Sequence, residues 1–214
     1  MGQAETDHWL EKVYRAPDRA ALQAHYDIWA ESYDADLQQV GYLHVPVMTG
    51  LVARHVTDKN AQILDAGAGT GGLGEVLAIL GYTGLTGLDM SEGMLARARA
   101  RGCYAALTQG VLGEPLAFAD AAFDAIISTG TFTSGHAPAS AFDELVRVLK
   151  PGGLLMFTVA TSVWEAQGFA AKIRALMDAD LLAEQEITPL YRPMPFSPTE
   201  SGLTTWARAY RRTG

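Results

Sequence analysis

The sequence predicts an α/β chain: a mostly parallel sheet with helices on both faces, an antiparallel hairpin at the C-terminus, and a helical segment ahead of the first strand. Three observations carry this expectation. From about residue 61, short apolar runs alternate with amphipathic stretches. A glycine cluster, "GAGTGG", joins the first apolar run to the first amphipathic stretch, and residues 1–60 show helical spacing with no comparable strand run.

In chain order, Pro17 marks a helix start, and "HYDIWAESYDADL" places Tyr26, Trp29, Tyr33 and Leu37 on one helical face at i, i+3, i+7 and i+11. That stripe fits a packed core or a surface folded over a ligand. "QILDAG" reads as a buried parallel strand, followed by a helix near Thr70–Leu80, with Leu73, Val76, Leu77 and Leu80 at helical spacing. "GLTGLD" leads to a helix from Ser91 to Arg101, and "YAALTQG" to a loop of about eleven residues. "FDAIIST" precedes a helix near Ala139–Leu149, and "GGLLMFTVA" one near Val163–Met177, with Gly152 and Gly153 forming a turn into that strand. Such a series gives right-handed crossovers, and such sheets bind ligands at the carboxyl ends of their strands. After Met177 the rhythm breaks. "EITPLYRPMPFSP" and "LTTWARAY" look like two strands, and the prolines 189, 193, 195 and 198 place them at the sheet edge.

Bulk composition narrows the function classes. With 214 residues, 49% of them hydrophobic and 19% charged, the chain can bury one substantial core. A net charge of −8 with no basic run beyond Arg211–Arg212 disfavours a nucleic-acid partner, because phosphate contacts want Lys or Arg. No apolar run approaches the length of a membrane span, and the N-terminal residues lack an apolar leader. The lone Cys103, read as a small buried hydrophobe, offers no disulfide and no metal-ligand set. A cytoplasmic protein without membrane or metal is expected.

The glycines alone do not identify a ligand, since Gly67, Gly69 and Gly72 satisfy one spacing and Gly67, Gly69 and Gly71 another. Asp65 does more. Two positions before Gly67, its carboxylate is expected at the pocket rim, where it would repel a pyrophosphate by roughly 1–4 kcal/mol at about 4 Å and attract a cationic ligand. Asp89, about twenty residues on, suits the two hydroxyls of a ribose, with Ser91 left to cap the next helix. Adenosine joined to positive charge describes S-adenosyl-L-methionine; a dinucleotide fits only the second half.

The segments "ILDAGAGTG", "LTGLDMSEGML", "FADAAFDAIISTG" and "ELVRVLKPGGLLMFTV" resemble the successive motifs of class I S-adenosylmethionine-dependent methyltransferases, in order and spacing. "YDIWAESYDADLQQVGY" and "GTFTSGHAP" are further similar to the methyltransferase-like proteins of the Williams-Beuren syndrome chromosome region. The resemblance implies a Rossmann-like seven-stranded sheet with one antiparallel strand over residues 61–214, with residues 1–60 as a helical cap over the active site. Carried onto this chain, it puts Gly67, Ala68, Gly69 and Gly71 against the methionyl part of the cofactor, Asp65 on its ammonium, Asp89 on its ribose and Met90 on the adenine. Where many relatives have an acidic residue after the third strand, this chain has Val111 and Leu112, so adenine should meet backbone and apolar groups around Gly110, Val111 and Leu112. Ser128 and Thr129 close the cofactor side, and Trp29 and Tyr33 are the lid candidates, their rings suited to a sulfonium.

Methyl transfer needs alignment and dryness more than covalent help. "STGTFTSGHAP" leaves the fourth strand where an acceptor would sit, lined by Thr131, Phe132 and Thr133. His136 is its one side chain able to take a proton near neutral pH, if the acceptor must lose one. No Asn/Asp-Pro-Pro-aromatic tetrapeptide follows that strand, which argues against amide and base acceptors, so a small-molecule acceptor with an O or N nucleophile is expected, in a pocket closed by residues 1–60 and the prolines 189–198. Monomer and homodimer both remain open. So do two other readings: a catalytically silent cofactor-binding partner subunit, and an NAD(P)-dependent oxidoreductase.

Overall fold

The computed structural model describes residues 3–214 and has seven strands in one sheet, ordered β3-β2-β1-β4-β5-β7-β6. The strands are β1 (Gln62–Ala66), β2 (Gly84–Asp89), β3 (Ala106–Gln109), β4 (Phe123–Phe132), β5 (Leu149–Ala160), β6 (Leu182–Ile187) and β7 (Thr205–Arg212). All pair in parallel except β7, which is antiparallel to both β5 and β6. The strand order reverses between β1 and β4, and both carry their chemistry at the carboxyl end.

Alternation along each strand builds two cores. Leu64 and Ala66 of β1, Ile126 of β4 and Leu155 and Phe157 of β5 face one side. Ile63, Leu85, Ala125, Ile127, Leu154 and Met156 face the other. Because both faces are covered, the strands read as unbroken apolar runs. The covering helices include α5 (Gly72–Ile79), α6 (Glu92–Arg101) and α7 (Ala141–Val148). Ser91 caps α6 by accepting from the Met94 amide at 3.1 Å, which leaves Asp89 free of that duty.

A third cluster forms the cap. It is built from α1 (Gln3–Tyr14), α2 (Arg19–Trp29) and α3 (Tyr33–Gln39), with α4 (His44–His55) leading back to the sheet. Asp18, just after Pro17, caps α2. Leu10, Val13, Leu22, Trp29, Leu37 and Val40 bury against one another and against Met194. Residues 26–37 are two helices, broken between Ala30 and Ser32, yet Tyr26, Trp29, Tyr33 and Leu37 still converge on this cluster.

Three expectations need correction. The first C-terminal strand, β6, ends at Ile187, before the prolines, and β7 lies inside the sheet, so only β6 is an edge. Proline cannot donate to a ladder, and residues 188–198 instead run beneath the cap, with the Leu43 amide bonded to Pro193 O at 2.9 Å and the Phe196 amide to Val40 O at 3.2 Å. The helix expected over 163–177 breaks at Gly168, φ 78°, into α8 (Thr161–Trp164) and α9 (Phe169–Asp178). Gly152 and Gly153 lie within β5, where its register with β4 shifts. Cys103 is half-buried, beyond α6. Among the described residues no helix is long and apolar enough to cross a membrane, and no group of side chains is placed to hold a metal ion.

Candidate active site

Beyond Ala66 the chain turns through Gly67, φ 86°, Gly69, φ 55°, and Gly71, φ 86°, angles that favour glycine. The amides of Gly67 and Ala68 both donate to Leu88 O, at 2.7 and 2.9 Å, folding the loop across the end of β2. A Cβ on Gly67 would lie 2.5 Å from Thr131 Oγ1, whereas one on Gly69 would meet nothing within 4 Å. Gly67 and Gly69 therefore form the floor of an open cavity of about 570 Å³. Ala68 and Gly71, expected against the same ligand, do not line it. Gly71 packs on Tyr104 and Ala98, where a Cβ would lie 3.0–3.2 Å from their atoms, so its smallness serves the contact between α5 and α6.

Asp65 lies beneath the loop and not at the rim. It is 1% exposed, its Oδ2 accepts the Tyr104 hydroxyl at 2.7 Å, and its Oδ1 has no partner. Burial pushes its carboxyl up to about 7, opposed by the Tyr104 hydrogen bond and assisted by the charge of Asp89. Asp89 does face the cavity. Its Oδ2 accepts the Gly69 amide at 2.8 Å and its Oδ1 the Ser91 amide at 2.9 Å, so one carboxylate fixes both loops. Burial raises its pKa, and the amides of Ser91, Gly69 and Met90 hold that rise down.

Met90, Gly110, Val111 and Leu112 line the far end of the cavity, with Leu22, Leu88 and Met94. The Gly110 amide donates to Asp89 O at 3.0 Å, and a Cβ there would strike Leu88 Cδ1 at 2.7 Å. Arg19 and Glu114 form an ion pair at the mouth. Thr129 and Thr131 line the β4 side. Ser128 does not: it is fully buried and donates to Ala66 O at 2.6 Å, joining two strand ends. Phe132 also turns away from the large cavity into the core, stacked on Phe142 at 4.6 Å, while Thr133 faces a smaller cavity behind it.

The cap closes the top. Asp27 accepts from Ser91 Oγ at 2.5 Å and from the Gly93 amide at 3.0 Å, and Asp34 accepts from Thr70 Oγ1 at 2.6 Å and pairs with Arg101. Two cap aspartates thus grip the two loops that Asp89 joins. Tyr26 and Tyr33 face the large cavity; Trp29, 1% exposed, sits behind them and donates from Nε1 to Asp36 at 2.8 Å. His136 reaches the cavity from the loop after β4. Its Nδ1 donates to Ser134 O at 2.7 Å, which leaves Nε2 to accept from the Tyr26 hydroxyl, also at 2.7 Å. Burial lowers its pKa, opposed by the Ser134 carbonyl, so the ring is neutral with a basic Nε2. Tyr104, Asp27 and Asp34 were not legible as site residues, since each acts through a contact that chain order does not reveal.

A methyltransferase-domain family model matches residues 64–157. Methyltransferase-like protein 27 of Homo sapiens is 36% identical over 156 residues, covering 72% of this chain and 63% of that protein. A malonyl-[acyl-carrier protein] O-methyltransferase of Enterobacter lignolyticus is 33% identical over 141 residues, 66% of this chain and 54% of that protein. The matches thus span little more than half the length of these curated relatives. Among solved structures, an S-adenosylmethionine dependent methyltransferase from Mesorhizobium loti shares the fold, with a TM-score of 0.59 at 21% identity over 77% of this chain and 96% of that one.

Proposed function

This chain belongs to the class I S-adenosylmethionine-dependent methyltransferases, and on that premise we propose that it moves the cofactor's methyl group to an O or N nucleophile of a small molecule held under the cap. The observation that carries the reading is the convergence of Gly67, Gly69, Asp89, Met90 and residues 110–112 on one cavity of about 570 Å³, a size suited to a cofactor. The open space above Gly69 and the carboxylate of Asp89 fit the group: glycine admits the methionyl chain, and Asp89 has lone pairs left for ribose hydroxyls. Met90, Val111 and Leu112 offer the apolar surface adenine needs. Asp65, buried with a free Oδ1 and its carboxyl pushed up to about 7, would lose its proton as the methionyl ammonium arrives and answer it from below the loop.

The bound cofactor would supply a methyl group already activated on a sulfonium. This chain's residues have the remaining work. Tyr26 and Tyr33 exclude water and present aromatic faces to positive charge. The Tyr26 hydroxyl donates to His136 Nε2, so a proton that the acceptor must release passes to the Tyr26 oxygen as Tyr26 hands its own to Nε2. The O-methyltransferase named among the relatives favours oxygen as the acceptor atom. The family match does not favour the oxidoreductase or silent-subunit alternatives. Calorimetric titration with S-adenosylhomocysteine, NAD and NADP tests the cofactor, with binding expected for the first alone; binding of NAD or NADP instead would overturn it.

A further inference from the structure

Behind the large cavity lies an inner one of about 40 Å³. Tyr26, Tyr33, Gly130 and His136 line both and stand between them. Gly130, φ 69°, is the thin point of this wall: a Cβ there would lie 2.4 Å from Tyr42 Oη. Besides Trp29 and the wall residues Tyr26, Tyr33 and His136, the polar groups lining the inner space are Tyr14, Tyr42, His44, Thr133, Thr158 and Thr205, and among the described residues no Asp, Glu, Lys or Arg lines it.

Most of these groups are already engaged. Thr158 Oγ1 accepts the Gly130 amide at 2.8 Å, Thr205 Oγ1 donates to Val159 O at 3.1 Å, and Tyr14 and Tyr42 share hydrogen bonds with Thr133 and Tyr33. His44 differs. It is 6% exposed, its Nδ1 is bonded to the Tyr191 hydroxyl at 2.6 Å, and its Nε2 has no partner among the described residues. Its Cδ2, beside that nitrogen, lies 3.7 Å from the position of a Cβ on Gly130. That ring nitrogen of a cavity-lining histidine, left open next to the shared wall, is a hydrogen-bonding site without an occupant among the described residues.

We infer that the inner cavity seats the reacting end of the methyl acceptor and admits an uncharged hydroxyl group, held by His44 Nε2, in preference to a carboxylate or a phosphate. Three observations exclude an anion. Among the described residues no cation lines the inner cavity, the one cation lining the large cavity is Arg19, and Arg19 is already paired with Glu114. A carboxylate would surrender its hydration and gain no counter-charge. Asp89, whose negative charge acts on Tyr26 of the shared wall, adds repulsion. An ammonium has no lone pair with which to accept a methyl group. A hydroxyl matches the lining, because it donates and accepts at once. With the hydroxyl held by His44, its proton would pass to the Tyr26 oxygen on the shared wall as Tyr26 gives its own proton to His136 Nε2, and the hydroxyl oxygen takes the methyl group as the sulfonium bond breaks. The volume admits only the reacting end, so the body of the acceptor occupies the large cavity beside the cofactor.

This inference rests on the methyltransferase reading, and the experiment separates the two. The protein is first titrated with S-adenosylhomocysteine; failure to bind contradicts the methyltransferase reading itself. The saturated protein is then titrated calorimetrically with phenol, benzoate and benzylamine as shape-matched probes, using wild type, His44→Ala and His44→Gln, whose amide can reach the Nε2 position. Phenol should bind about tenfold tighter than either charged probe. His44→Ala should lose about tenfold in phenol affinity with S-adenosylhomocysteine affinity unchanged, and His44→Gln should recover most of that loss. Equal binding of benzoate or benzylamine, or phenol affinity indifferent to both His44 variants, would overturn the inference.

Discussion

Replacing Asp89 separates two tasks performed by one carboxylate. Its oxygens hold the Gly69 and Ser91 amides at 2.8 and 2.9 Å, and their remaining lone pairs face the cavity. Asp89→Ala strands both amides, and at about 1–3 kcal/mol for each lost charge-assisted bond the fold should lose roughly 2–6 kcal/mol. Sequence reasoning alone would have expected this substitution to spare the fold, because the ribose contact was the only role visible. Asp89→Asn keeps one acceptor oxygen but turns an NH₂ toward one of the two amides, so it should give up about half of that stability. Both variants should also bind S-adenosylhomocysteine about 10- to 150-fold more weakly, the equivalent of about 1.5–3 kcal/mol for hydrogen bonds to a charged group. Urea unfolding without ligand reads the first effect, and calorimetric titration of the folded protein reads the second. An unchanged urea midpoint for Asp89→Ala would refute the loop-tether role. Unchanged ligand affinity in Asp89→Asn would refute the ribose role.

Acid stability should reveal two opposing protons. Burial holds His44 neutral down to about 3, against 6.5 ordinarily, so below pH 6.5 the unfolded chain gains a proton that the fold refuses and stability falls. Asp65 is held protonated up to about 7, against 3.8, so over the same window the fold keeps a proton that the unfolded chain has lost and stability rises. Each slope is about 1.4 kcal/mol per pH unit, and they offset between about pH 4 and 6.5. Relative to wild type, Asp65→Asn should therefore lose stability on acidification and His44→Gln should gain it; urea midpoints that move in parallel for all three proteins would contradict both assignments. For the cap, Tyr33→Ala or Asp34→Ala should speed release of S-adenosylhomocysteine, and residues 20–45 should gain amide-exchange protection on binding; equal protection with and without ligand would make the cap a static core. For His136→Gln, turnover on the true acceptor should fall about 10²- to 10⁴-fold with cofactor affinity unchanged, and near wild-type turnover would leave catalysis to alignment alone.

The α/β alternation was legible because strands covered on both faces must be apolar throughout, as Ile126 and Ile127 are. The C-terminal order was not, since the charged residues in both β6 (Glu184, Glu186) and β7 (Arg208, Arg211, Arg212) do not mark which of the two lies inside the sheet. Asp65 was misplaced at the rim although strand alternation sets it on the same face as Ile63, where Tyr104 lies. Asp89, Met90 and residues 110–112 line the cavity as expected because they end or follow β2 and β3 at the carboxyl edge of the sheet. Ser128 and Phe132 share that location but point inward, a distinction that lies in side-chain direction and not in position. His44 had no sequence signal at all. A histidine at a helix start reads as a surface residue until Tyr191, 147 positions away, folds against it.

A crystal structure of the S-adenosylhomocysteine complex tests the central claim most directly. The adenosine should occupy the cavity of about 570 Å³, with both ribose hydroxyls within hydrogen-bonding distance of the Asp89 carboxylate, adenine against Met90 and Val111, and the sulfur facing the wall of Tyr26, Tyr33, Gly130 and His136. A ligand bound elsewhere, or bound there with its ribose turned away from Asp89, would contradict it.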